Sequence, residues 1–158
     1  MSDSEKLIIP DNQEAQGDFD KIGIRMLETD SYDVIIHALR TAAEGAANLV
    51  VLREDDAWKT VVLVLDRLRI AIVKSSGFNR PSDLKETRPV EGASVMPRVL
   101  AYERLYEGLK NAERGSRQMA TCHRGDICWS MYAQQFEKMR DSCSVMARRK
   151  SGIIQVRH

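Results

Sequence analysis

The chain has 158 residues, 43% hydrophobic and 30% charged, with a formal net charge of +1. This composition excludes a chain disordered throughout, and the length suits one domain with a substantial core. The near-neutral balance also argues against the strongly basic surface usual for nucleic-acid-binding domains.

The neutral total conceals a polarity. Between Met1 and Asp20 six acids stand against Lys6 alone, and between Lys138 and His158 six bases stand against Asp141 alone. Such asymmetry points to charged ends that meet a partner or each other. Residues 1–17 contain Pro10, many acids and no helical periodicity, so they are expected to form a mobile acidic tail. Residues 18–150 are expected to form one helical domain with a loop at 75–93, and 151–158 a C-terminal tail. Leu7, Ile8 and Ile9 near one end, and Ile153, Ile154 and Val156 near the other, form short apolar clips. The polar start does not resemble an export signal, and three cysteines are an odd count. Reduced thiols in the cytoplasm are the economical expectation.

In chain order, Asp18 or Asp20 is a candidate cap for a short helix holding Phe19, Ile22, Met26 and Leu27, ended by the polar run Glu28–Asp30. Ser31 then caps a long helix over about 31–52, with Tyr32, Ile35, Ile36, Leu39, Ala43, Ala46 and Val50 on its apolar face. Small residues from Ala42 to Ala47 invite another helix to approach closely. His37 and Arg40 fall on the opposite, polar side. Arg53 to Asp56 supply a turn too short for anything but an antiparallel neighbour, a helix over about 57–75.

That second helix is the most apolar run, WKTVVLVLDRLRIAIVK, and is expected to be the centre of the fold. It is far longer than a strand, and Asp66, Arg67 and Arg69 interrupt it too often for a membrane span. Trp58, Val61, Val62, Leu65, Leu68 and Ile72 make its apolar face. Leu63 and Ile70 sit within the polar face, so neighbours are expected on two sides. Arg69 falls between Trp58 and Val62 on the helical wheel, which makes it a structural or interface charge in need of an acceptor such as Asp66.

After Lys74 the sequence turns to Gly, Pro and charge, and periodicity returns only over about 95–114. There Val95, Val99, Tyr102, Tyr106 and Leu109 alternate by four and three, with Gly115 as the expected stop. The last helix, about 126–149, carries Trp129, Tyr132, Phe136, Met139, Cys143 and Met146 at the same alternation. This adaptable stripe reads either as core or as a protein-binding face. The fold class expected is therefore all-α, a helical bundle built on the 31–52 and 57–75 hairpin.

Chemistry-bearing motifs are few. Cys122, His123 and Cys128 are zinc-ligand types without zinc-finger, ribbon or knuckle spacing, so no metal or cofactor is expected. Arg117 and His123 form an R-x5-H pair that resembles the Arg-His signature of the HEPN helical ribonucleases. That resemblance implies His123 as acid/base and Arg117 as phosphate ligand, assembled across a dimer. A second alternative is nucleic-acid binding through Arg148, Arg149, Lys150 and Arg157. The expectation that best suits the whole chain is a non-enzymatic adaptor, regulator or assembly subunit. It would act through helix contacts with a protein partner or with itself as a homo-oligomer, using Arg69, Leu63, Ile70 and the Trp129–Met146 stripe.

Overall fold

The computed structural model describes the backbone of residues 9–78, 80–123 and 127–151, and side chains over 28–78, 80–123 and 127–147. Four helices form an all-α bundle: α1 (Ile9–Val51), α2 (Ala57–Ser76), α3 (Arg98–Cys122) and α4 (Cys128–Ser151). No strand occurs among the described residues. Two short 3-10 turns, Pro81–Leu84 and Gly92–Ser94, punctuate the long α2–α3 connection.

The hairpin forms where its turn residues place it. Arg53 adopts a left-handed φ of 57°. Its N–H donates to the Val50 carbonyl (3.0 Å) and the Glu54 N–H donates to the Leu49 carbonyl (3.1 Å), which closes α1 with a Schellman pair. The Asp55 carboxylate then accepts the Ala57 N–H (2.9 Å) and satisfies a free donor at the start of α2. Gly77, at φ 81°, ends α2 in a conformation that a side chain would strain.

α1 differs from expectation at its start. Its backbone is helical from Ile9, inside the stretch expected as an acidic tail, and it continues through Glu28–Asp30 without a break. A run of polar residues with no Pro or Gly only needs a solvated face, so it does not end a helix. The side chains of the expected 18–27 helix lie outside the described residues, as do residues 1–8 and the C-terminal apolar clip of Ile153, Ile154 and Val156.

α1, not α2, is the centre of the bundle. Tyr32, Ile35, Leu39, Ala42, Ala43, Ala46 and Leu49 are all fully buried. They pack on α2 along one side and, most extensively, on α3 along the other. α3 runs antiparallel to α1 at very close range. A Cβ on Gly45 would stand 2.6 Å from the Ala101 carbonyl oxygen, and one on Gly108 2.6 Å from that of Ala38. Gly115, expected to end α3, instead meets α1 in mid-helix, where a Cβ would stand 2.7 Å from Ile35 Cγ1. Along α3 the buried positions Ala101, Leu105, Gly108, Ala112, Gly115 and Met119 alternate by four and three, the spacing of a helix-packing seam.

α4 returns antiparallel along α3 after a short connection. Trp129, Phe136 and Cys143 are buried, whereas Tyr132, Met139 and Met146 are only partly covered. Burial pushes the Cys143 thiol from its ordinary 9.0 up to about 12. On α2, Trp58, Leu65 and Ile72 are fully buried and Ile70 is half-buried, while Leu63 stands 47% exposed.

By length and composition, Glu28–Val51 is apolar enough to cross a membrane, and its most apolar stretch is mostly buried inside the bundle. Its apolar side is the one that faces α2 and α3.

Candidate functional site

The α2–α3 connection lacks apolar periodicity, yet it is not a free linker. It lies as a strap across the hairpin and is anchored at three places. At its start, Phe78 stacks on Tyr32 with ring centroids 4.3 Å apart. The Arg80 guanidinium lies over both rings, 5.1 and 5.7 Å from their centroids, and pairs with Asp33. The Tyr32 hydroxyl donates to Asp83 (2.9 Å). Burial, and then this bond to a carboxylate, raise the Tyr32 pKa above the ordinary tyrosine value.

The middle anchor is Arg69, at 0% exposure. Its guanidinium donates to the backbone carbonyls of Asp83 and Lys85 and, at 3.2 Å, to Asp66 Oδ1. Asp66 in turn accepts the Thr87 N–H (2.9 Å) and the Thr87 hydroxyl (2.6 Å). A buried arginine is tolerated only when carboxylate and carbonyl oxygens satisfy its fork, and four of these five bonds bring the strap to α2. Arg69 Nε alone finds no partner among the described residues. From α1, Arg40 adds bonds to the Ser82 and Lys85 carbonyls. At the far end the buried Asn48 accepts the Met96 N–H (2.7 Å) and donates to the Glu44 carbonyl (3.2 Å).

Held this way, the strap walls a cleft of about 810 Å³ against α1 and the start of α3. Arg40 and Glu44 from α1, Lys85, Glu86 and Arg88 from the strap, and Arg104 from α3 supply its charges. Val90, Val95, Met96, Pro97 and Leu100 supply its apolar wall. Sequence reasoning missed this cleft. In the sequence Arg40 is only one residue of a polar helix side, and the anchoring carbonyls of Ser82, Asp83 and Lys85 leave no mark there.

A second concavity lies between α2 and α4. These two helices do not pack on each other as the other neighbouring pairs do. A groove of about 350 Å³ separates them, lined by Val61 on one side and Gln135, Lys138, Met139, Ser142, Cys143 and Met146 on the other.

The residues singled out from sequence are thus distributed over separate places. Arg69 finds its acceptors within its own chain, including the anticipated Asp66, and so is a structural charge. Leu63 is exposed on α2, Trp129 and Phe136 are in the core, and Met139 and Met146 edge the α2–α4 groove. Arg117 is occupied by Glu113 and Glu137 (2.9 and 3.1 Å). His123, at the end of α3, pairs instead with Glu28 of α1 (2.5 Å). The two residues of the HEPN-like pair are therefore tied to different carboxylates on different elements. Cys122 is half-buried and Cys128 exposed, and no group of three or more metal-ligating side chains is assembled among the described residues. The side chains of Arg148, Arg149, Lys150 and Arg157 lie outside the described residues.

Comparisons with protein-family models, with curated proteins and with solved structures each found no match to this chain.

Proposed function

We propose that the chain is a non-enzymatic interaction module that works through helix-to-helix contacts, with a second copy of itself as partner. The observation that carries this reading is the α2–α4 groove. Three helix pairs of the bundle are closed, and this one is left open with an apolar lining. Val61 on one wall and Met139 and Met146 on the other are only partly covered. Methionine walls re-pack around varied helical surfaces, so the groove of one copy can seat an exposed helix face of another. Cys122, Cys128 and Cys143 stand as thiols and not as disulfides, which fits a reducing, cytoplasmic setting.

Light scattering coupled to size exclusion tests the proposal. The intact chain should elute with a mass well above its 17.9 kDa, and Met139→Glu should return it to that mass by placing a charge in the groove. A one-chain mass for the intact protein at every concentration would refute self-association.

A further inference from the structure

We propose that the cleft beneath the strap binds a small organic phosphate, a dianionic head attached to an apolar body. The volume, about 810 Å³, falls within the range of small-molecule sites. Its charge is unbalanced: Arg40, Lys85, Arg88 and Arg104 line it against Glu44 and Glu86, which leaves a surplus of two cations. These four cations come from three separate elements, α1, the strap and α3, and converge on one space.

Arg40 makes the case specific. Among the described arginines that are buried or half-buried, Arg69, Arg80 and Arg140 each face a carboxylate. Arg40 does not. Its guanidinium is oriented by the neutral carbonyls of Ser82 and Lys85, so its position is fixed, and it makes no ion pair with a described residue. A fixed guanidinium outside any ion pair, beside three further cations that make none among the described residues either, suits an oxyanion with several acceptor oxygens. A phosphate monoester carries close to two negative charges at neutral pH, which matches the surplus. Val90, Val95, Met96, Pro97 and Leu100 provide an apolar surface next to these cations, which inorganic phosphate would leave unused.

Titration calorimetry of the full chain with phenyl phosphate, inorganic phosphate and phenol tests this inference. Phenyl phosphate should bind saturably at one site per chain, roughly tenfold or more tighter than inorganic phosphate, and phenol should not bind measurably. Replacing the two exposed cations together, Arg88→Gln with Arg104→Gln, should weaken phenyl phosphate by about tenfold or more without moving the melting temperature of the free protein. The pair Arg67→Gln with Lys110→Gln, exposed cations that do not line the cleft, should leave binding as it was. Absence of saturable binding would overturn the proposal. So would equal losses in the two double variants, which would reduce the effect to unspecific charge attraction, or equal affinity for phenyl and inorganic phosphate, which would remove the apolar wall from the site.

Discussion

The α1–α3 seam and the strap are both fastened to α1, by opposite means. Along the seam, Gly45, Gly108 and Gly115 remove side chains so that two backbones touch, and stability comes from contact without voids. Along the strap, apolar packing against the core is confined to Phe78 and Met96 at its two ends, and the segment between them is held by buried polar groups that satisfy one another. The seam should therefore fail through crowding, whereas the strap should fail through desertion, when one partner leaves its neighbours buried and unpaired.

The largest expected effect is on the strap side. Arg69→Ala leaves Asp66 without its cation, strands two carbonyls and opens a cavity, and should lower stability by about 3–5 kcal/mol in denaturant melts. Arg69→Lys should also be costly because an ammonium cannot reproduce the planar fork, whereas Arg67→Lys, exposed on the same helix, should change almost nothing. Indistinguishable melts for those two lysine variants would erase the contrast between strap and surface.

Crowding the seam comes next. Gly108→Ala places a methyl 2.6 Å from the Ala38 carbonyl oxygen and 2.7 Å from the Ala42 Cβ, so the helices must separate. Helix propensity favours alanine by about 1 kcal/mol, yet overpacking should prevail and give a net loss of about 1–3 kcal/mol. A stabilised variant would show that the seam has slack and that the two regions differ less than proposed.

A smaller, pH-dependent effect reports on two buried tyrosine hydroxyls, one at the strap and one at the hairpin turn. Tyr32, which reaches Asp83 on the strap, and Tyr102, which reaches Glu54 at the hairpin turn (3.1 Å), both have raised pKa values, chiefly through burial. The unfolded tyrosines ionise near pH 10 while the folded ones keep their protons, so the folded state holds more protons and stability falls as pH climbs above 10. Tyr32→Phe and Tyr102→Phe should each flatten that alkaline decline. A slope unchanged by both would mean that neither hydroxyl is buried as described.

The two regions were also unequally legible in the sequence. The seam side was largely readable, because Tyr32, Ile35, Leu39, Ala43 and Ala46 repeat at helical spacing and the small residues Ala42–Ala47 announce a close neighbour. The expected stripe of α3 was out of phase: Val99 is 48% exposed and Val95 precedes the helix, while Ala101, Leu105 and Ala112 carry the seam. Gly115 was a contact glycine that sequence alone reads as a stop, and α2, the most apolar run, gave up the central place to α1 because small residues bury more completely than the hydropathy of α2 suggests. On the strap side only Arg69 and Asp66 were visible, as an arginine out of phase with its helix. What they hold is a set of backbone carbonyls and the Thr87 amide, groups that every residue carries and no pattern reveals. The cleft inherits that opacity, since its walls exist only once the strap is in place.

Amide hydrogen exchange on the intact chain tests the central claim, that buried polar groups pin an irregular strap to the hairpin. The Thr87 N–H is bonded to Asp66 and the Met96 N–H to Asn48, so both should exchange far more slowly than loop amides do, and both should become fast in Arg69→Ala under conditions where α1 and α3 remain protected. Fast exchange at Thr87 and Met96 in the unaltered protein would contradict the account, since the strap would then lie loose on the bundle and the cleft beneath it would have no fixed wall.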